Sequence, residues 1–423
     1  MLTLKVITEN RDKVVRELAK KYFEAGEIVD RIIALDVVRR TSQTALDANL
    51  TEQNRLSKSI GGWMKEGRKA EAEAARARVA GIKEESKSLE TAKSNAEKEI
   101  QELLMQVPNL PHASVPEGKG AEENVCEETG GVVPILPAGA LPHWELAKRY
   151  DLIDFEAGVK ITGAGFPVYK GYGARLQRAL INFFLDRARE AGYVEVEPPY
   201  LVNVDSGYGT GNLPDKEGQM YHAGLDNLYL IPTAEVPVTN LYRDVILNES
   251  ELPVKHVAYS ACFRREAGSY GKDVRGLNRL HQFNKVEIVC IDTPERSGET
   301  LCAMVGYVQS LVEQLALPWR RLRLCGGDMS FTSALTFDFE VFSAAQQRWL
   351  EVSSVSNFES YQTNRLKCRY RDENRKTQLC HTLNGSALAL PRIVAALLEN
   401  NQTEDGILIP PALIPYTGFT AIR

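Results

Sequence analysis

The sequence lacks the features that mark several large classes of protein. It has no apolar run that approaches the roughly 20 residues of a membrane span, and its N-terminal segment lacks the cationic-then-apolar order of a signal peptide. Its seven cysteines form no CxxC pair, and its six histidines form no HExxH pair. We therefore expect reduced core thiols, no zinc site, no membrane partner and a cytoplasmic location.

The chain is long enough for two or three domains, yet it carries no overall basic excess. Its 423 residues allow an ample core, and its net charge of −5 describes an acidic protein. Any contact with nucleic acid must therefore come from a local basic patch.

A long antiparallel helical hairpin is predicted from about Glu27 to Val107. Seam positions follow an unbroken three-and-four spacing from Ile28 to Ile60 and again from Ala75 to Val107, which is typical of a coiled coil. Most of these positions are apolar, and polar ones such as Arg39 and Asn49 would fix the register of the helices. Glycines at 61, 62 and 67 interrupt the pattern and favour a turn between two helices. Each helix would hold roughly 33 residues and extend about 50 Å.

The distal half of this hairpin is strongly basic. Between residues 55 and 83 there are eight basic and three acidic residues, an excess of five positive charges. A solvated coiled-coil surface is the simpler interpretation, but charge of one sign at a tip favours a phosphate backbone as the partner. The residues expected to contact RNA are Arg55, Lys58, Lys65, Arg68, Lys69, Arg76 and Arg78.

The rest of the chain divides into a linker and a mixed domain. Residues 108–142 contain six prolines and several glycines, which exclude a long helix. From residue 143 to 423 the pattern predicts alternating helices and strands.

The most informative stretch of this domain runs from Cys262 to Ile291 and reads as strand, basic loop and strand. Strand alternation puts Arg264 and Glu266 on one face, and the loop adds Gly268, Gly271, Lys272 and other cationic or glycine positions. A charged edge hairpin is the plainer interpretation.

Three other segments carry candidate site residues. A Thr-Ala-Glu turn at 233–235 precedes a predicted helix. The simpler interpretation is that Thr233 only caps this helix. In the extended segment 351–354, alternation puts Glu351 and Ser353 on one face and Ser354 on the other. A third segment, from Thr382 to Arg392, reads as a strand that enters an apolar helix, where an arginine is costly unless it meets an anion.

The stretch around 262–291 resembles motif 2 of class II aminoacyl-tRNA synthetases, in the form found in seryl-tRNA synthetases. The phrases FRREAG and RGLNRLHQFNKVE carry this resemblance, which extends over essentially the whole chain. It implies an α+β fold, with an antiparallel-sheet catalytic domain (143–423) and an N-terminal domain (1–107) that bears a two-helix arm. The segment from Gly171 to Leu201 resembles motif 1, which forms the homodimer interface in class II enzymes.

The resemblance also implies roles for individual residues, with ATP as substrate and Mg²⁺ as cofactor. Catalysis would fall to Arg264 and Arg392, and magnesium binding to Glu351 and Ser354. The serine site would comprise Thr233, Ala234, Glu235, Arg264, Glu287 and Ser386. The ATP site would comprise Arg264, Arg265, Glu266, Glu351, Val352, Ser353, Ser354 and Arg392.

The function that follows is the attachment of L-serine to tRNA(Ser) through a seryl-adenylate, with service to tRNA(Sec) left open. A class II synthetase for proline or threonine is disfavoured by the coiled coil and the Thr-Ala-Glu turn. An RNA-binding paralogue without activity is disfavoured because Arg264, Glu266, Glu351 and Arg392 are all present. The HIGH and KMSKS signatures of class I synthetases and the P-loop signature are absent.

Overall fold

The computed structural model describes residues 1–215, 217–266 and 275–423, in two compact units, Met1–Leu110 and Pro111–Arg423. The loop residues Gly268, Gly271 and Lys272 lie outside the described residues. Within the described ranges, no helix is both long and apolar enough to cross a bilayer.

The first unit is dominated by two long helices. Their charges and amides pair across the hairpin, with Arg31 Nε 2.7 Å from Glu99 Oε1 and Asn49 Nδ2 3.3 Å from Ser86 Oγ. Early residues on one helix thus meet late residues on the other, which confirms the predicted antiparallel hairpin. The helices of this unit are α1 (Leu4–Glu9), α2 (Arg11–Ala19), α3 (Gly26–Lys65) and α4 (Lys69–Leu104).

The position of the hairpin turn differs from the prediction. Helix α3 has 40 residues, roughly 60 Å, because it continues through Gly61 and Gly62 instead of ending there. A glycine inside a helix costs only about 1 kcal/mol, and the packing of Leu56 against Ala75 and Ile82 offsets that cost. The turn comes at Gly67, whose φ of +76° is a left-handed conformation that favours glycine.

The second unit is built around an eight-stranded sheet in the spatial order β1-β11-β12-β13-β16-β10-β9-β4. All neighbours in it are antiparallel except β4 and β9, which confirms the predicted antiparallel-sheet domain. The strands are β1 (Val125–Gly130), β2 (Ile153–Asp154), β3 (Val168–Tyr169), β4 (Val194–Glu195), β5 (Leu201–Val202), β6 (His222–Ala223), β7 (Leu228–Leu230), β8 (Ile246–Asn248), β9 (Val254–Phe263), β10 (Gln282–Asp292), β11 (Trp319–Arg323), β12 (Leu335–Ser343), β13 (Arg348–Glu359), β14 (Arg369–Arg371), β15 (Thr377–Leu379), β16 (His381–Ala389), β17 (Gln402–Thr403), β18 (Gly406–Leu408) and β19 (Ala421–Ile422).

Helices cover the sheet and close its core. An apolar stripe of Leu176, Leu180, Phe184 and Ala188 on α7 is fully buried against it. The helices of this unit are α5 (His143–Arg149), α6 (Phe155–Ile161), α7 (Gly171–Glu190), α8 (Val204–Thr210), α9 (Glu235–Asn240), α10 (Ser297–Gln314), α11 (Ser360–Leu366), α12 (Leu390–Asn400) and α13 (Ile414–Thr417), with 3-10 turns at Ala121–Glu123, Glu249–Glu251 and Pro411–Leu413.

Two segments have more regular structure than their sequence indicated. The predicted linker 108–142 contributes strand β1 to the edge of the large sheet, where it pairs with β11; the domain boundaries themselves stay a prediction. The strand has mostly exposed residues, so it carries no apolar alternation to reveal it. The segment 206–211 has the glycine-rich sequence SGYGTG, yet it lies mostly in helix α8, because the Asn203 side chain caps the Ser206 N–H at 3.0 Å.

Candidate active site

The centre of the candidate site is a buried carboxylate, Glu287, on the central strand β10. The antiparallel register sets Glu287 directly opposite Ser386 on β16, and its side chain is 1% exposed. It accepts hydrogen bonds from Lys285 Nζ at 2.6 Å, from Ser386 Oγ at 3.4 Å and from the Asn384 amide. The buried charge is therefore paired and bonded, as its low-dielectric surroundings require.

A second carboxylate, Glu235, lies beside this cluster at the start of α9. Its Oε1 accepts from Gln362 Nε2 at 2.6 Å, and Gln362 in turn accepts from the Thr382 hydroxyl at 2.6 Å. The pKa of Glu235 is raised to about 7, mainly by burial and in part by the charge of Glu287, while Gln362 and nearby cations oppose the rise. Glu235 is thus poised to ionise when a cation enters the pocket.

The Thr-Ala-Glu turn supports this carboxylate. Thr233 is buried, and its Oγ1 accepts the N–H of Glu235 at 3.3 Å. Ala234 is fully buried in a small apolar cluster with Val238, Ala258 and Val289. Its side chain therefore helps fix the turn in the core instead of facing the pocket.

Arg264 follows directly after strand β9 and faces the same pocket. Its guanidinium lies 5.3 Å from the centroid of the Phe283 ring, and Nε donates to the Pro232 carbonyl at 3.4 Å. It is close enough to Glu235 to lower the pKa of that carboxyl. Arg264 and the serine-site candidates are therefore brought together in one place.

The next two residues depart from the predicted strand alternation, because β9 ends at Phe263. Glu266 has a φ of +47°, outside any strand conformation, and its carboxylate is paired with Arg279. Arg265 is exposed, with its N–H bonded to the Gln219 carbonyl at 2.8 Å. The predicted common face for Arg264 and Glu266 is thus wrong, since the chain turns there.

The segment 351–354 also departs from simple alternation. The register between β12 and β13 shifts after the pair Phe339–Ser353, so that Glu340 pairs with Glu351 and Val352 is the extra residue. Glu351 is consequently 50% exposed, whereas Ser353 is buried and donates to the Ser386 carbonyl at 2.6 Å. The predicted common face for Glu351 and Ser353 is therefore wrong. Val352 is buried in the core.

The bulge brings Glu351 and Ser354 near the carboxyl group of Asp338. Burial raises the pKa of the Asp338 carboxyl well above its ordinary value, and the charge of Glu351 adds to the rise while Ser354 opposes it by a hydrogen bond. Among the described residues, Asp338 Oδ1 is buried without a hydrogen-bond partner. An unsatisfied carboxylate oxygen beside a second carboxylate and a hydroxyl fits a hard divalent cation such as Mg²⁺. The described part of the chain holds no cluster of three or more His, Cys, Asp or Glu suited to a metal.

Arg392, in the first turn of α12, contacts the segment 351–354 at Glu351. Its Nη1 donates to the Glu351 carbonyl at 2.7 Å and lies 3.7 Å from Glu351 Oε2. Its Nε donates to the Asn278 carbonyl at 3.1 Å. The guanidinium is thus fixed on two sides and remains partly exposed, as a ligand for an anion should be.

The tip of the helical hairpin forms a separate candidate site. Of the predicted RNA contacts, Arg55 is paired with Glu52, and Arg68 is paired with Glu66 and Glu71 while lying over the Trp63 ring. The other predicted contacts make no ion pair within the described residues. These are Lys58, Lys65, Lys69, Arg76 and Arg78.

Comparison with known proteins accounts for both units. The model of the seryl-tRNA synthetase N-terminal domain matches residues 1–111, and that of the tRNA synthetase class II core domain (G, H, P, S and T) matches residues 220–401. A serine–tRNA ligase of Salinibacter ruber is 51% identical over 100% of this chain and 99% of the relative. The chain belongs to the seryl-tRNA synthetase family.

Other members of the family agree over the full length. A serine–tRNA ligase of Chlorobaculum parvum is 45% identical over 100% of both chains. The crystal structure of seryl-tRNA synthetase from Pyrococcus horikoshii complexed with ATP is 34% identical, with a TM-score of 0.95 over 100% of this chain and 99% of that one. These findings confirm the seryl-tRNA synthetase resemblance and the class II fold.

Several contacts of the site were not predicted from the sequence. Lys285 and Asn384 were not identified as partners of Glu287, and Gln362 was not identified as the partner of Glu235. Asp338 lies in the strand sequence FDFE, where a buried acid among aromatic residues is the one signal that could have marked it.

Proposed function

We propose that the protein attaches L-serine to tRNA(Ser) in two steps. In the first, an oxygen of the serine carboxylate attacks the α-phosphorus of ATP, and pyrophosphate leaves. In the second, a ribose hydroxyl of the tRNA 3′-terminal adenosine attacks the serine carbonyl carbon, and AMP leaves. The observation that carries the proposal is the group of Glu287, Glu235 and Arg264 around one pocket, in a chain 51% identical to a serine–tRNA ligase.

The first step depends on positioning and on charge neutralisation more than on a general base. Arg264 would bridge the serine carboxylate and the α-phosphate, since it reaches the pocket of Glu235. Arg392 would neutralise the departing pyrophosphate. Glu266 would accept the adenine amino group, and Arg265 and backbone groups of 352–354 would line the nucleotide.

Serine itself would be held by the two carboxylates. Glu235 is half-buried and suits the ammonium group, while Thr233 and Ala234 keep it in position. Glu287 and Ser386 would provide acceptors for the hydroxyl group at the floor of the pocket. A site built to bond a hydroxyl rejects alanine strongly, because its own polar groups would otherwise stay unpaired.

A magnesium ion would be held by Glu351, Ser354 and Asp338 together with nucleotide oxygens. The unpartnered Asp338 oxygen and the bulge at Val352 support this assignment. When bound, the ion offsets negative charge on the phosphates. The proposal gives the ion no other role.

The basic tip of the arm would bind tRNA(Ser) through its phosphates. Its unpaired lysines and arginines support this role, as does the match of residues 1–111 to the family's N-terminal domain. RNA helices are read mainly by shape and backbone charge, so one-signed charge on a long arm is suitable. The second step would then follow at the catalytic unit, in the cytoplasm.

The catalytic unit would act as a homodimer. Strand β4 forms an edge of the large sheet, and Val194 on it is 60% exposed. An edge strand with an exposed apolar residue favours pairing with another chain. The alternative of a paralogue without activity is disfavoured, since Arg264, Glu351 and Arg392 are present in a chain closely similar to serine–tRNA ligases.

The test of the tRNA step is serine charging of a tRNA(Ser) transcript. Reversing the charge of Lys58, Lys65 and Lys69 to Glu should lower charging strongly and weaken its dependence on salt, because phosphate contacts are lost. The matched control reverses Lys13, Lys87 and Lys98, three exposed lysines of the same unit away from the tip. Equal losses in the two triple variants would overturn the role of the tip.

A further inference from the structure

The catalytic unit contains a buried acid–imidazole pair that the proposed activation chemistry does not use. His143 Nδ1 lies 2.7 Å from Glu399 Oε1, and both side chains are 0% exposed. They are 256 residues apart in sequence. Glu399 also accepts from the His143 N–H at 2.9 Å, from Gln346 Nε2 at 3.0 Å and from the Ser343 hydroxyl. A buried carboxylate that accepts hydrogen bonds from all of these donors holds the surrounding side chains in one rigid arrangement.

The hydrogen bonds determine which tautomer His143 adopts. Its Nε2 accepts the Leu277 N–H at 2.8 Å, so that nitrogen carries no proton. The proton is therefore on Nδ1, where it is donated to Glu399. The pair is thus a carboxylate and a neutral imidazole.

This imidazole supports the backbone that leads to Arg392. Gly276 has a φ of +65°, and a Cβ there would lie 2.2 Å from His143 Nε2, so the chain passes directly over the ring. Two residues later, the Asn278 carbonyl accepts from Arg392 Nε at 3.1 Å. The Asn278 amide also donates to Gln346 Oε1 at 2.9 Å.

Helix α12 closes this chain of contacts into a ring. It carries Arg392 in its first turn and Glu399 about two turns later. The path therefore runs from Glu399 through His143, Leu277 and Asn278 back to the arginine on the same helix. A shift of the backbone at 276–278 would break the buried hydrogen bond from Leu277 to His143, and a shift of the Arg392 guanidinium would break its bond to the Asn278 carbonyl.

We propose that His143 and Glu399 are positioning residues for Arg392. They hold the backbone at 276–278, and that backbone sets the direction in which Arg392 meets the terminal phosphates of ATP. The inference rests on the proposed function, because it takes Arg392 to contact those phosphates. It predicts that damage to the pair affects recognition of ATP and leaves recognition of AMP unchanged.

The test is calorimetric binding of ATP and of AMP to the full chain, in the absence of serine. His143→Leu removes the acceptor for Leu277 and should weaken ATP binding about tenfold, the value of a lost charge-assisted bond, with AMP affinity unchanged. His143→Gln retains one donor and one acceptor and should restore most of the ATP affinity. Gly276→Ala provides an independent variant, because its Cβ displaces the same backbone while His143 is intact.

A double-variant cycle separates the inference from the proposed function. If His143 acts through Arg392, His143→Leu should add little to the loss already caused by Arg392→Ala. Full additivity, or equal losses for ATP and AMP, would overturn the positioning role while the role of Arg392 stands. If Arg392→Ala leaves ATP binding unchanged, the proposed role of Arg392 fails and the inference fails with it. If His143→Leu does not fold, the same outcomes are read from Gly276→Ala.

Discussion

The Glu235→Gln substitution changes one atom in the serine pocket and should produce opposite effects on binding and stability. In the free protein, burial raises the pKa of this carboxyl to about 7. To pair with the serine ammonium group, Glu235 must be ionised. Wild-type affinity for serine should therefore rise with pH between 6 and 8, and the variant should show no such rise.

The expected changes in serine affinity follow from the pKa of Glu235 and from the hydrogen bond between its carboxylate and the serine ammonium group. With a pKa of about 7, the ionised fraction rises about tenfold between pH 6 and pH 8, so wild-type serine affinity should rise by about that factor. At pH 8, losing a hydrogen bond to a charged group costs about 1.5–3 kcal/mol, or roughly 10–150-fold in affinity. At pH 6 the difference between variant and wild type should be about tenfold smaller, because most wild-type molecules are already neutral.

Stability should move in the other direction. The folded pKa lies above the ordinary value of 4.5, so the folded state binds more protons and wild-type stability falls as pH rises from about 4.5 through 7. The amide of the variant does not titrate, so Glu235→Gln should remove this loss. For a half-buried group the gain at pH 8 should be on the order of 1–2 kcal/mol.

The assay is the Michaelis constant for serine in ATP–pyrophosphate exchange from pH 6 to 8, together with urea unfolding at both ends of the range. Glu404→Gln, an exposed substitution in the same unit, is the matched control and should follow the wild type. The ligand's own titration affects all three proteins alike. A variant that keeps the wild-type pH dependence of serine affinity would refute the assignment of Glu235.

Three other substitutions test separate parts of the structure. Lys285→Met leaves the buried Glu287 charge without its cation and should lower the free energy of unfolding by about 3–5 kcal/mol. In urea titration, adding Glu287→Gln to this variant should recover most of the lost stability. No recovery would contradict the pairing of Lys285 with Glu287. Gly67→Ala should destabilise the arm by about 1–2 kcal/mol because Gly67 has a positive φ. Gly61→Ala, inside α3, should instead stabilise the arm by up to about 1 kcal/mol. Circular dichroism in urea measures both changes, and effects of the same sign would argue against the turn at Gly67. Glu351→Gln should weaken Mn²⁺ binding in the presence of ATP at least about tenfold by electron paramagnetic resonance, and unchanged binding would exclude Glu351 as a ligand.

Much of the site could be predicted because its residues lie on regular elements. The strand–loop–strand around Glu287, the arm and the apolar stripe of α7 follow from periodicity. The family resemblance then marks Arg264 and Arg392 as candidate site residues. These features depend on local sequence, which the chain displays directly.

The rest could not be predicted because it depends on single-residue register and on distant contacts. One extra residue at Val352 reverses which neighbour shares a face with Glu351, and nothing in the local sequence marks it. Asp338 joins the site only through its strand pairing with Ser354. The contact between His143 and Glu399 joins two helices that are far apart in the chain.

The measurement that tests the account most directly is amino-acid-dependent exchange of pyrophosphate into ATP, without tRNA, across the twenty amino acids. The geometry of Glu235, Glu287 and Arg264 predicts exchange with serine alone, and Arg264→Ala and Arg392→Ala should each abolish it. Exchange with a different amino acid, or none from folded protein, would contradict a serine-activating site.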